Sequence, residues 1–261
     1  MSNILTKCHD FNFSETYAYA DLVRKTIFDN EYSCEPAEVA SDFEEQILKP
    51  KQHTLLHDFI DHCISKDIRF NFSGPGWDVD CVEPIIKMLS NHGIQYKTLN
   101  DYVADMYRDD DTGVVPEITE DMLEQYQIEY FSDYIEEVAN EKLLPLLVVE
   151  VFNILFNDRK AMMHFNLRVA EYMGTKTKRC TYWPKWLERA LFCREKGLCA
   201  ICKSDLSSIF HTHGKLAVDH IVPIAKFGVN DPTNLQILCE ACNGKKSDKE
   251  IVTSNSLPVF W

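Results

Sequence analysis

Apolar residues in the first two thirds of the chain recur mostly at three- and four-residue spacing, which predicts a largely helical N-terminal region. Val39, Phe43 and Ile47 form one stripe and Leu55, Leu56, Phe59, Ile60 and Cys63 a second, with Pro50 between them. IRFNF (68–72) and IQYKT (94–98) read as short strands flanking a helix from Val82 to Asn91 that ends at His92-Gly93. That order predicts one βαβ unit. The intervening GPG lacks the lysine and hydroxyl of a phosphate loop and reads as a turn. DDDTGVVPE (109–117) has the composition of a linker. Beyond it Thr119-Glu120 opens a helical stretch carrying Leu123, Tyr126, Ile128, Phe131, Tyr134, Ile135 and Val138, which Pro145 is expected to break. A further helix is expected from about Leu146 to Met173, ending at Gly174. No repeat or low-complexity tract interrupts the pattern.

After Gly174 the composition changes to KTKRCTYWPKW, which reads as a junction to a second region. There Leu216–Val222 predicts a strand with Asp219-His220 at its middle, followed by a loop containing Pro223, Gly228, Asn230 and Pro232. Asn234 begins a second strand, LQIL, and Cys239 starts a short helix bearing Asn243, Lys245 and Lys246. The expectation is an α+β chain: a mainly helical acidic domain over 1–175, then a small domain over 176–261 whose compact part covers about 178–252.

With 261 residues, 45% hydrophobic and 26% charged, the chain has the makings of an ordinary globular protein of one large or two modest domains. The opening residues have no basic stretch followed by an apolar one, and the longest apolar run, Leu143–Phe156, is interrupted by Pro145, Glu150 and Asn153. A cytoplasmic protein with no membrane span is the expectation. The net charge of −14 would argue against a polyanionic partner if it were evenly spread. It is not, because residues 159–249 hold 16 Lys and Arg against 8 Asp and Glu, whereas 1–158 hold 11 against 32. A nucleic-acid-facing C-terminal part joined to an acidic part with other work fits this asymmetry. Residues 101–150 alone hold 15 acids and two bases, so a protein partner or a restraint on the C-terminal part is one reading of them and a solvated scaffold the other.

Four of the ten cysteines form two pairs, Cys199-x-x-Cys202 and Cys239-x-x-Cys242. Two such knuckles brought together present four thiolates tetrahedrally to one ion, and structural zinc is the expected occupant, with an iron–sulfur cluster as the alternative. A closed four-thiolate site has no open position for catalysis, so reactive groups must lie elsewhere. The scattered Cys8, Cys34, Cys63, Cys81, Cys180 and Cys193 read as small apolar residues.

DHIVP, the asparagine before LQIL, and CxxCN followed by lysine resemble the zinc-containing branch of the HNH endonuclease family, over about 75 residues. The resemblance implies a ββα-metal fold and hydrolysis of nucleic acid. By it Asp219 and Asn243 are expected to hold a divalent ion, His220 to be the general base, and Asn234 to orient the loop and the base. Asn243 departs from the commoner histidine at the motif's last position, which points to an altered metal preference. Nucleases of this kind joined to long unrelated domains resemble parts of prokaryotic defence or mobile-element systems.

Elementary chemistry supports the same assignment. Phosphodiester hydrolysis needs a deprotonated water and positive charge at the phosphate, which a neutral imidazole and a bound cation supply. Oxygen ligands from Asp219 and Asn243 suit Mg²⁺ or Mn²⁺. Successive strand residues face opposite ways, so a bulge or twist at Asp219-His220 is expected if both serve one site. Lys245 and Lys246 are expected to meet backbone phosphates. The reading is thus a metal-dependent endonuclease acting on DNA in preference to RNA and leaving 5′-phosphates; the alternative is a non-catalytic zinc module that docks on nucleic acid or protein. His53 and His57, at i, i+4 spacing without the glutamate of HExxH, read as a solvated helix face, and His211 and His213 as exposed loop residues. Trp183 and Trp186, set among basic residues, would either stack on nucleic acid or anchor the domain junction.

Overall fold

A computed structural model describes residues 10–29, 47–74, 77–109, 111–212 and 216–259. Val39, Phe43, Pro75, Gly76 and His213, like Cys8 and Cys34, lie outside the described residues, as does the side chain of His211. The chain divides into two compact units: residues up to Tyr19 with Ile64–Glu150, and Ala20–Cys63 with the residues from Val151 onward. The shift in composition at 175–176 is thus not the place where compact units divide.

Helices α1 (Thr16–Phe28) and α2 (Leu55–Ser73) come first among the described elements. In α2 the residues Leu56, Ile60, Ile64, Ile68 and Phe72 recur every four positions and are all buried, while Phe70 is 60% exposed. That series explains why 68–72 is the end of a helix and not a strand: the four-residue period outweighs the alternation of Ile68, Phe70 and Phe72. Residues 94–98 adopt no regular structure either, so the expected βαβ unit is absent. The helix between them does form, as α3 (Glu83–Asn91), with Pro84 in its first turn and Gly93 at φ 67° just past its end, where a left-handed residue closes the helix. Helix α4 (Leu99–Met106) is capped by Thr98, whose hydroxyl accepts from the Asp101 N–H at 3.2 Å. Among the described residues, 107–119 contain no helix or strand, as a linker composition predicts.

Helix α5 (Glu120–Glu129) continues through π-helical turns at Tyr130–Ile135 and Ala139–Leu143 into α6 (Leu144–Leu155). Pro145 does not break this run. Its missing N–H falls in the first turn of α6, directly after a π turn where the i→i−4 ladder is already interrupted. The single helix expected over 146–173 is two, because the chain turns after Leu155 and Asp158 caps α7 (Arg159–Met173) by accepting from the Ala161 N–H at 3.0 Å. Gly174, at φ 57°, ends α7 as expected. Inside the first unit the buried Glu150 carboxylate accepts from the Asn12 N–H (2.8 Å), the Phe13 N–H (3.2 Å) and the Thr16 hydroxyl. Among residues buried as a whole between Ile64 and Glu150 it is the one charged or polar residue described, and the His92 side chain beside it is equally buried.

The second unit carries α8 (Lys185–Arg194), α9 (Ser207–His211), the antiparallel strands β1 (Ala217–His220) and β2 (Leu235–Leu238), and α10 (Glu240–Lys246). Strand, strand and helix give the ββα order. Leu187, Leu191, Leu206, Leu216, Val218, Leu235, Ile237 and Leu238 form its core, and Trp183 and Trp186 pack against it. So small a core needs further support, and buried polar ties supply it. Asn166 of α7 donates to the Thr233 hydroxyl at 3.0 Å, the Asn230 N–H donates to the Ile47 carbonyl at 3.0 Å, and Asp231 accepts from the Leu55 N–H at 3.0 Å, capping α2 from a distance in sequence. Arg159 and Arg194 flank the buried Glu195, with Arg194 Nη2 2.8 Å from Glu195 Oε1.

Candidate functional site

The four knuckle cysteines converge: their Sγ atoms all lie within 4.8 Å of one another, with Cys202 and Cys239 at 3.7 Å. A zinc ion with Zn–S bonds of about 2.3 Å would space its sulfurs about 3.8 Å apart, so the cluster fits a tetrahedral ion. Local structure holds it in place. Cys199 follows α8 and is fully buried, and Cys239 caps α10, its Sγ accepting from the Cys242 N–H at 3.4 Å. Among the described residues this is the one cluster with metal-holding geometry; His53 and His57 stack on each other at 5.0 Å, and His53 pairs with Asp58 instead.

Strand β1 places Asp219 and His220, both buried, at its C-terminal end. The ladder is regular there, Asp219 opposite Gln236 and His220 opposite Leu235, with no bulge. The two side chains accordingly have different surroundings. Asp219 Oδ2 accepts from Gln236 Nε2 at 3.1 Å and pairs with Lys246 Nζ at 3.0 Å. Its other oxygen accepts from no described residue. Lys246 is 2% exposed, and its ammonium also donates to the His220 carbonyl at 2.7 Å. It binds β1 from within, so the expected surface contact with phosphate falls to Lys245 alone, which is exposed.

His220 points to the loop between the strands. Its Nε2 lies 3.0 Å from Oδ1 of Asn230, and the Trp183 ring meets it edge-on with centroids 5.7 Å apart. Asn230, wholly buried, donates through Nδ2 to the carbonyls of Lys178 (2.8 Å) and Leu48 (3.1 Å), and its Oδ1 also accepts from the Cys180 N–H at 3.1 Å. Two donations and two acceptances leave one orientation for this amide. His220 must therefore donate from Nε2, and its lone pair sits on Nδ1, which has no hydrogen bond to a described residue. Burial pulls the His220 pKa down to about 4; the positive charges of Arg179 and Lys246 act in the same direction, against the Asn230 hydrogen bond and Asp219. The imidazole is neutral at pH 7, as a base must be.

Asn234, also wholly buried, holds the loop shut: Oδ1 accepts from the Val222 N–H at 2.8 Å, and Nδ2 donates to the carbonyls of Val222 (3.0 Å) and Val229 (2.9 Å). Its amide bonds to no atom of His220. The His220 ring is oriented instead by Asn230, a residue that in the sequence alone stands only as part of a loop. Gly228 is required by the same closure, since a Cβ there would lie 1.9 Å from the Val222 carbonyl oxygen. Asn243, half-buried on α10, hydrogen-bonds through its side chain to no described residue. The unengaged oxygen of Asp219 and the unengaged amide of Asn243 are hard oxygen donors of the kind Mg²⁺ or Mn²⁺ takes.

Residues 199–249 match the family model described as HNH endonuclease. The matched stretch runs from the first knuckle cysteine to just past α10, and it takes in both strands, the loop and all four cysteines. The C-terminal region thus contains an HNH endonuclease domain, a family that points to nuclease-type activity on nucleic acid. No curated protein and no solved structure matches the chain. Among the described residues, no helix is long and apolar enough to cross a membrane.

Proposed function

We propose that this protein is a metal-dependent endonuclease that hydrolyses phosphodiester bonds of DNA, with His220 as the general base. The observation that carries this reading is the fixed Asn230–His220 pair within the matched region, which leaves a neutral imidazole with Nδ1 bare. Nδ1 takes a proton from a water molecule, and the resulting hydroxide oxygen bonds to phosphorus as the P–O3′ bond breaks. The 3′ oxygen leaves with the electron pair and is protonated from solvent, so the products are a 5′-phosphate and a 3′-hydroxyl. Asp219 and Asn243 would hold a divalent ion, Mg²⁺ or Mn²⁺, whose charge offsets that building on the phosphate oxygens. Asn234 keeps the loop closed beneath His220, Lys246 holds Asp219 in place, and Lys245 meets the nucleic-acid backbone. The four cysteines would hold zinc as a structural ion.

The remaining acidic region, on this reading, serves a protein partner or restrains the nuclease, and the whole acts in the cytoplasm as an effector of a prokaryotic defence or mobile-element system. The test is plasmid cleavage by the full-length protein with Mg²⁺, Mn²⁺ or Ni²⁺. Nicked or linear product from wild type, and none from His220→Ala, is the expected result. An unchanged plasmid under all three ions, or equal cutting by His220→Ala, removes the proposal; duplex binding without cleavage would favour a docking module instead.

A further inference from the structure

The matched domain begins at Cys199, yet His220 is enclosed by a segment that lies ahead of it. Between the end of α7 at Gly174 and the start of α8 at Lys185 the chain has no regular structure, and it is nonetheless held at several points. Asn230 binds the carbonyl of Lys178 and the N–H of Cys180, residues either side of Arg179, with the same amide that binds His220 Nε2. Thr177 is buried, and three residues beyond Cys180 the Trp183 ring rests edge-on against the imidazole. This strap is therefore registered against the base by a buried side chain and an aromatic contact, while Arg179 itself is exposed.

The Arg179 guanidinium forms no hydrogen bond or ion pair with a described residue. The carboxylate next to His220 in the chain, Asp219, is already paired with Lys246 at 3.0 Å. An unengaged cation on a strap tied to the amide that binds His220, with the Asp219 carboxylate already compensated, leaves this wall complementary to an anion. A guanidinium presents parallel N–H donors that match two oxygens of one phosphate.

We propose that Arg179, on the strap Lys178–Trp183, binds the non-bridging oxygens of the phosphodiester presented to His220, making this segment the substrate-binding wall of the nuclease site. The inference rests on the nuclease reading for the phosphate being the scissile one. Its test is arranged to fail separately. In full-length protein carrying His220→Ala, so that substrate stays intact, binding of a short fluorescent DNA duplex is measured by anisotropy from about 50 to 200 mM KCl. Adding Arg179→Ala should weaken binding about tenfold and lower the slope of log K against log salt by about one, while Arg179→Lys should keep the slope. On the His220 background, Arg179→Ala should lower kcat at saturating DNA about a hundredfold, with Arg179→Lys recovering part of it. Affinity and slope unchanged by Arg179→Ala overturn the proposal whatever the cleavage result, and so does a full-length protein that binds no duplex. The Arg179-dependent slope in a wild type that cuts no DNA with any divalent ion would uphold the phosphate contact and sink the nuclease reading alone.

Discussion

Between Ile64 and Glu150 the described residues that are buried as a whole are apolar except Glu150, whereas between Ala217 and Lys246 eight polar or charged residues are buried: Asp219, His220, Asn230, Asp231, Thr233, Asn234, Gln236 and Lys246. The first stretch is stabilised by surface removed from water, so what matters there is volume and spacing. The second has two strands of four residues and spends its interior on hydrogen bonds that fix particular atoms. Burying a polar group costs roughly 1–3 kcal/mol unless it is satisfied, so a fold that concentrates such groups in thirty residues is trading stability for position. Position is what the roles proposed for His220, Asn234 and Asp219 require.

The comparison breaks most visibly on removal of metal. If four thiolates hold zinc, a strong chelator withdraws a contribution on the order of 10 kcal/mol from the ββα region and almost nothing from the helices of the first unit. The expected outcome is one equivalent of zinc released and a change in the fluorescence of Trp183 and Trp186, which pack on the core that includes Cys199. Far-UV helix signal should largely persist. Its complete loss together with the zinc would show that the two regions are not energetically distinct.

A smaller effect separates the two kinds of burial. Ile68→Ala removes a fully buried side chain from α2 and should cost about 2–5 kcal/mol through the cavity it leaves. Asn234→Ala removes three buried hydrogen bonds and strands their backbone partners at Val222 and Val229, at a similar cost of about 2–4 kcal/mol. Denaturant midpoints should thus fall comparably, but at temperatures where both variants remain folded only Asn234→Ala should lose cleavage, by a hundredfold or more. Equal loss of cleavage in both would mean that the polar network is no more than packing.

The same contrast governs what the sequence disclosed. The two CxxC pairs were legible because their chemistry follows from spacing, and Asp219-His220 and Asn234 drew notice through the short stretches around them that resemble a known family. Asn230 was not, because the groups it binds belong to residues 47, 48, 178, 180 and 220 and come together only in the fold. Lys246 was expected to meet phosphate at the surface, and only the Asp219 carboxylate beside it explains its burial. Among the helices, periodicity located α3 and the end of α7, but it missed the tolerance of Pro145, which depends on π turns that leave no apolar signature. At 68–72 alternation and the four-residue period coexist, and the longer series from Leu56 decides in favour of the helix.

Acid provides the mildest probe. His57, ahead of the divide within α2, stacks on Phe152 at 3.8 Å, and burial first, then the neighbouring His53, pulls its pKa down to about 4, with Asp58 opposing. In the unfolded chain the same histidine titrates near 6.5. The unfolded state therefore takes up this proton first as pH falls, and the stability that depends on a neutral His57 is complete above pH 6.5 and lost on the way down to 4. Linkage puts the loss at about 3 kcal/mol between pH 7 and pH 4. His57→Gln, which cannot charge, should flatten the fall in Tm over that window while lowering Tm modestly at pH 7. A Tm profile of the same slope with glutamine in place would assign the acid sensitivity to the buried groups of the ββα region, and polar burial there would then limit stability as well as fix position.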